Sequence, residues 1–258
     1  MSESRRVTAC LLIIGDEILS GRTRDANLSY LARWLNGEGV ELREARVIPD
    51  DRTVIVRTVN EVRRAFDYVF TTGGIGPTHD DITTDCVAEA FGVPIHFNAE
   101  AERELMARLI GPMTEGRRRM TRIPEGATLI RNPVSGAPGF RLGNVHVLAG
   151  IPAVMQAMLE TIRGTLEGGR PVQSATLHVF AGESRIAATL LEVQERYPDV
   201  SIGSYPFGHQ DRYGANLVLR SPDGARLAAA TEELRQALIR DGFEPGIGEA
   251  TPTPEDIV

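Results

Sequence analysis

The 258-residue chain has no lysine; all 28 of its basic residues are arginine. That absence excludes Schiff-base catalysis and the phosphate loop that depends on a lysine. Cysteine is almost missing as well, with only Cys10 in an apolar stretch and Cys86 in a helix-periodic one. Neither their number nor their spacing supports a metal site or a disulfide framework, so both are expected to be buried thiols. No apolar run approaches the ~20 residues needed to span a bilayer, and no export signal opens the chain. A cytoplasmic protein without a membrane partner is expected. Positive charge is also scarce: the formal net charge is −7, which argues against an extended nucleic-acid footprint. The one basic cluster, Arg117-Arg118-Arg119 with Arg122, reads first as a solvated helix face and second as a phosphate clamp.

What remains is ordinary globular material, 42% hydrophobic and 24% charged, enough for a substantial core. Val7 to Ile14 is a near-continuous apolar run, as in a strand buried on both faces of a parallel sheet. Asn27 can cap a helix whose Leu28, Leu31, Ala32 and Leu35 fall at helical spacing, ending near Gly37 and Gly39. A strand at Val40 to Ile48 leads through Pro49-Asp50-Asp51 into a helix striped by Ile55, Val59, Val62 and Phe66, and a third strand follows at Tyr68 to Thr72. Strand, helix, strand, helix, strand predicts right-handed βαβ units in an open parallel sheet. Ligands of such sheets sit at the carboxyl ends of the strands, where Gly15-Asp16-Glu17, Pro49-Asp50-Asp51 and a glycine-rich turn beginning at Thr71 all fall.

Further on, Ala99 to Met120 reads as helical with a break at Gly111-Pro112, and Ala127 to Arg131 as a strand. Asn132 to Gly139 is too rich in proline and glycine for either regular element. A strand at Val145 to Ala149 precedes a helix opened by Pro152. Gly168-Gly169-Arg170-Pro171 marks a boundary, so the expected domains are 1–170, a small α+β unit over 171–244, and a flexible tail over 245–258. The small unit is read as strands at Ala175–Phe180, Val200–Tyr205 and Ala215–Arg220, with helices at Ser184–Arg196 and around Leu227, Thr231, Leu234 and Leu238. Its order suits a KH-like topology, yet it lacks the Gly-x-x-Gly clamp that RNA binding needs.

The chemistry concentrates in Thr72-Gly73-Gly74-Ile75-Gly76-Pro77-Thr78-His79-Asp80-Asp81. Glycines at 73, 74 and 76 let backbone amides approach a ligand, and the helix start beyond them favours an anion, typically phosphate. Asp80 and Asp81 repel such an anion unless a hard cation lies between, which points to a Mg²⁺-bridged phosphate or pyrophosphate. Asp50, Asp51, Asp16 and Glu17 can join from neighbouring strand ends. The competing reading is that Asp80 or Asp81 merely caps the helix and the glycines only make a turn. His79 is a possible proton shuttle; His96, His146, His178 and His209 lack ligand spacing and read as structural or surface residues.

Gly15-Asp16-Glu17-Ile18-Leu19-Ser20-Gly21, the stretch Thr72 to Thr83, and Asn132-Pro133 through Ala137-Pro138-Gly139 together resemble the molybdopterin-binding MoaB/Mog superfamily, and within it the amino-terminal part of the competence/damage-inducible protein A (CinA) family. The resemblance covers residues 7 to about 165, and residues 174 to 240 look like the small module that follows in that family. The family's carboxy-terminal amidase has no counterpart in these residues. The resemblance implies a three-layer α/β sandwich with a mostly parallel sheet, and a small-molecule nucleotide or pterin as ligand. It implies one of two activities: divalent-metal-dependent hydrolysis of nucleotide pyrophosphates such as ADP-ribose or FAD, or binding and adenylylation of molybdopterin in molybdenum cofactor synthesis. A non-catalytic nucleotide-binding scaffold is the third expectation. It further implies catalytic Asp50 and Asp81, a metal (Mg²⁺, Mn²⁺ or Co²⁺) on Asp50, Asp80 and Asp81, and a dimer or trimer. The implied ligand-facing set is Gly15, Asp16, Glu17, Thr72, Gly73, Gly74, Gly76, Pro77, Thr78, Ser135, Gly136, Ala137 and Pro138. Ser135-Gly136 and Ala149 depart from the family's usual Gly-Thr and Pro.

Overall fold

The computed structural model describes residues 6–209 and 212–250, and divides into two compact units, 1–169 and 170–258. In the first unit β1 (Val7–Ile14) leads through the single-turn α1 (Asp16–Leu19) to α2 (Asn27–Gly37), β2 (Val40–Ile48), α3 (Arg52–Ala65), β3 (Tyr68–Thr72) and α4 (Thr83–Phe91). Then come β4 (Ile95–Phe97), α5 (Ala99–Met106), α6 (Glu115–Arg119), β5 (Arg122–Pro124), β6 (Thr128–Ile130), β7 (Gly139–Leu142), β8 (Val145–Leu148) and α7 (Pro152–Thr161).

Six strands form one sheet in the order β2-β1-β3-β8-β7-β6. The first four are parallel, β7 runs antiparallel to β8, and edge strand β6 runs antiparallel to β7 and so in the direction of the first four. The strict alternation of a strand explains the layering. Cys10, Leu12 and Ile14 enter one core with Ile55, Val59 and Val62 of α3 and Cys86, Val87 and Ala90 of α4. Ala9, Leu11 and Ile13 enter the other, with Leu31, Trp34 and Leu35 of α2 and Met155, Met158 and Leu159 of α7. Each fully buried leucine or isoleucine of β1 contributes about 1.5–3 kcal/mol of transfer free energy. Both cysteines are buried free thiols, and burial pushes them up to about 12 (Cys10) and about 11 (Cys86).

The sheet is mostly parallel, as expected, and its one reversed strand, β7, arises where residues 132–138 close a β6–β7 hairpin. Several local expectations are corrected. Asn27 does not cap α2: it is the first helical residue, Asp25 accepts from the Leu28 amide at 2.9 Å, and the Asn27 amide donates to Gly150 O at 2.8 Å. The small strands β4, β5 and β7 went unseen because three or four residues carry no readable period. Pairing rescues them: β4 with β5, and β7 with both β6 and β8.

The second unit holds β9 (Gln173–Val179), α8 (Glu183–Arg196), β10 (Ser201–His209), β11 (Arg212–Ser221), α9 (Gly224–Arg240) and β12 (Gly246–Ile247). Its antiparallel sheet, in the order β10-β11-β9-β12, buries Leu177, Val179, Ala215, Leu217 and Leu219 against Ile186 and Val193 of α8 and Leu227, Leu234 and Leu238 of α9. The start of the expected flexible tail is ordered: β12 pairs with β9, the Gly248 amide donates to Thr176 O at 2.8 Å, and Asn216 holds Ala250 through both its amide and its carbonyl. Residues 251–258 lie outside the described residues, as does the side chain of His209. No helix among the described residues is long and apolar enough to cross a membrane.

Candidate functional site

The strand order determines which loops can meet. Along the carboxyl edge of the parallel strands come, in sequence, Pro49-Asp50-Asp51 after β2, Gly15-Asp16-Glu17 after β1, the glycine turn after β3, and Ala149-Gly150-Ile151 after β8. Because β7 runs against β8, with Phe140 opposite Val147, the loop 132–138 returns to this same edge.

At the β1–β2 corner, Asp50 Oδ2 accepts the Asp16 amide at 3.0 Å and the Gly15 amide donates to Ile48 O at 3.1 Å. Partial burial raises the Asp50 carboxyl above its ordinary range. The Asp16 amide opposes that shift, while the charges of Asp16, Glu17 and Asp80 add to it. Asp80 is therefore close enough for its charge to be felt at Asp50. Asp51 takes a different part, capping α3 by accepting the Val54 amide at 2.9 Å.

The glycine turn is held by close backbone approaches. Gly73 has φ +100°, and a side chain there would run into the Ile14 carbonyl. Gly74 has φ +67° and abuts the Thr83 side chain, whose hydroxyl donates to Gly73 O at 3.0 Å while the Thr83 amide donates to Gly74 O at 2.9 Å. A Cβ at Gly76 would meet the Asp81 carboxylate oxygen at 2.7 Å and displace it. Among the described residues the amides of Gly74, Ile75 and Gly76 donate to nothing. Asp81 neither caps α4 nor stands free: its Oδ2 accepts the Thr78 amide at 2.8 Å and the Thr78 hydroxyl. The capping alternative is thus excluded, since α4 starts at Thr83 with no side-chain cap. His79 is fully exposed, 3.9 Å from Asp80.

Other expected site residues are placed differently from the sequence reading. The Thr72 side chain is buried and its hydroxyl is unpartnered. Gly136 and Pro138 are buried too, and Gly136, at φ +81°, packs on the backbone of Glu104 and Leu105. Asn132 organises that loop: its Oδ1 accepts the Val134 and Ser135 amides, each at 3.0 Å, and its Nδ2 donates to Ser135 Oγ at 2.7 Å and Ala137 O at 2.9 Å. The loop's hydrogen bonds go to itself and to Arg108, none to residues 73–81. Among the described residues no three His, Cys, Asp or Glu side chains come together as a metal-binding group, so Asp50, Asp80 and Asp81 form no preassembled cage. Gly150, whose Cα side lies against Gly73, and Thr83 were missed as structural members of the site.

The basic cluster is employed residue by residue. Arg117 donates to Pro112 O at 2.8 Å, Arg118 lies over the Phe97 ring at 4.4 Å, Arg119 donates to Thr78 O at 3.2 Å, and Arg122 pairs with Asp85 at 2.5 Å. It is neither a bare solvated face nor an open clamp.

The family described as "Probable molybdopterin binding domain" matches residues 10–167. The chain belongs to that family. Residues 171–245 match the family described as "FAD synthase, middle domain". The chain is similar to an archaeal protein of Archaeoglobus fulgidus, 35% identical over 196 residues, 76% of this chain and 84% of that one. It is also similar to a "Probable FAD synthase" of Caenorhabditis elegans, 30% identical over 262 residues, 91% of this chain but 50% of the nematode protein, so it spans half the length of that relative. Among solved structures, CinA from Thermoplasma acidophilum superposes with a TM-score of 0.57 at 30% identity, covering 61% of this chain and 98% of that one. The molybdopterin-binding-type unit and its CinA likeness fit the three-layer sandwich, and the segment similar to the FAD synthase middle domain follows it in the chain.

Proposed function

We propose that the carboxyl-edge rim of the first unit binds the phosphates of a nucleotide and hydrolyses the pyrophosphate of nucleoside-diphosphate-linked substrates such as ADP-ribose or FAD with a divalent metal. The observation that carries this reading is the three unpaired amides of Gly74, Ile75 and Gly76 on the same edge as Asp50, whose charged form is disfavoured by burial and by Asp16, Glu17 and Asp80. Amides of this kind attract an anion, and the surrounding carboxylates accept one only together with a cation. With no three-carboxylate cage, the donor set suits Mg²⁺ held by one or two carboxylates and by the phosphates themselves.

When bound, the metal offsets phosphate charge and acidifies a water molecule. The chain's own residues supply the positioning. Asp50 and Asp81 each have Oδ2 committed to backbone, leaving Oδ1 as the atom for metal or water. The free amides hold phosphate oxygens in place. Water attacks one phosphorus, a new P–O bond forms, and the bridging P–O bond breaks; ADP-ribose thus yields AMP and ribose 5-phosphate without any redox partner. The likeness of the second unit to the middle domain of FAD synthase supports a flavin dinucleotide among the substrates.

The test is release of AMP from ADP-ribose and FAD in the presence of Mg²⁺, Mn²⁺ or Co²⁺. Release by the native protein is expected, and release no greater than that of Asp81→Ala overturns the hydrolase reading. The family's own description favours a second reading, binding of molybdopterin at the same rim, with adenylylation of the bound pterin as the activity that reading would add. It predicts pterin fluorescence that co-purifies with the protein, and a pterin-free preparation with no measurable affinity for molybdopterin excludes it.

A further inference from the structure

The geometry points to Arg119 as a positioning residue that latches the Pro77–Asp81 turn. The turn leaves the sheet edge at Gly76 with three exposed residues following Pro77, and among the described residues its hydrogen bonds join Thr78 to Asp81 while His79 lies 3.9 Å from Asp80. Thr83 of α4 holds the base of the turn at Gly73 and Gly74, but among the described residues no hydrogen bond joins residues 77–81 to β3 or α4. What fixes it comes from forty residues further along the chain. Arg119 donates from Nη1 to Thr78 O at 3.2 Å, and its Nη2 approaches Asp81 O at 3.5 Å, so one planar fork spans both ends of the turn. Gly116, one helical turn earlier on α6, lies against Pro77 so closely that a Cβ would sit 2.8 Å from the Pro77 carbonyl oxygen.

α6 is itself tied at both ends, so the latch has a rigid base. The Thr114 hydroxyl caps it by accepting the Arg117 amide at 3.3 Å, Arg117 clasps Pro112 O, and just beyond α6 the Arg122–Asp85 pair fastens β5 to α4. Between turn and helix a shallow cleft remains, lined by Ile75, Asp81, Thr84, Arg119 and Met120. Arg119 therefore forms a wall beside the Asp81 carboxylate without being bonded to it, and it acts on Asp81 through the backbone. A lysine cannot reproduce this arrangement, because a single ammonium is a point donor and not a planar fork.

The latch can be tested apart from the functional reading; only the ligand arm of the test rests on it. Hydrogen exchange of native protein, Arg119→Ala and Arg119→Lys is followed in peptides covering 74–82, with 52–65 and 152–161 as controls. Removing one charge-assisted bond predicts about tenfold faster exchange in 74–82 for Arg119→Ala, an intermediate rate for Arg119→Lys, and unchanged control peptides. Unchanged exchange in 74–82, or equal acceleration in all three peptides, overturns the latch. In the ligand arm, ADP-ribose with Mg²⁺ is expected to bind Arg119→Ala about tenfold more weakly, with partial recovery in Arg119→Lys. If native protein binds no ADP-ribose, the phosphate-site reading fails while exchange still decides the latch; if it binds and Arg119→Ala binds equally well, the latch has no role in the site.

Discussion

His146 sits in the middle of β8, 1% exposed, with its ring stacked on Phe70 at 4.8 Å and 18° and its Nδ1 unpartnered. Burial, with Arg141 as the next contributor, lowers it from 6.5 to about 4, against the pull of the Asn144 and Val69 backbone. In the unfolded chain this imidazole takes up its proton near pH 6.5, whereas in the folded chain it does so only near pH 4. Between those values the unfolded state binds more protons, so stability falls as pH is lowered through that window. Two and a half units at about 1.36 kcal/mol each come to about 3 kcal/mol lost between pH 7 and pH 4. The assay is urea unfolding at fixed ionic strength, followed by the fluorescence of Trp34, the chain's single tryptophan, which packs edge-on against Phe70 at 6.4 Å and reports this core. Native protein is expected to lose about 3 kcal/mol more than His146→Leu over that range, because the carboxylates titrate alike in both. Parallel pH profiles for the two proteins would refute the reasoning.

Gly73→Ala places a Cβ against the Ile14 carbonyl at φ +100° and is expected to cost at least about 2 kcal/mol; Gly21→Ala, at φ +72° with nothing within 4 Å, should cost only about 1 kcal/mol. Thermal unfolding of the two variants checks the order. Asp51→Ala removes the α3 cap and should cost about 1 kcal/mol while leaving ADP-ribose binding intact. Asp50→Asn should do the reverse, abolishing Mg²⁺-dependent binding with little loss of stability, since an asparagine oxygen still accepts the Asp16 amide. Calorimetric titration alongside denaturation separates the two aspartates.

Long-period features were legible in the sequence. β1 announced itself because both its faces are buried, and α3 because Ile55, Val59 and Val62 fall on one stripe. The candidate carboxylates and glycines of the rim can be picked out from sequence because their residue types are informative wherever they sit. What could not be read was partnership across long separations: Arg119 reaching Thr78, Asn27 reaching Gly150, and Gly150 backing Gly73. Such pairs leave no local period. The loop 132–138 shows the same limit, since its glycine and proline signal a shaped turn equally well whether Gly136 faces a ligand or, as here, the backbone of α5. Asp50 and Asp51 are adjacent in sequence yet accept from different backbone amides, that of Asp16 at the β1–β2 corner and that of Val54 in the first turn of α3.

A phosphate site of this kind requires phosphate, metal and aspartate to share one place. Crystals soaked with ADP-ribose and Mn²⁺, examined for the anomalous signal of manganese, decide it. The expected result is phosphate oxygens on the Gly74–Gly76 amides and one Mn²⁺ between those oxygens and Asp50 or Asp81. Phosphate bound elsewhere, or bound at the turn with no Mn²⁺ beside either aspartate, would contradict it.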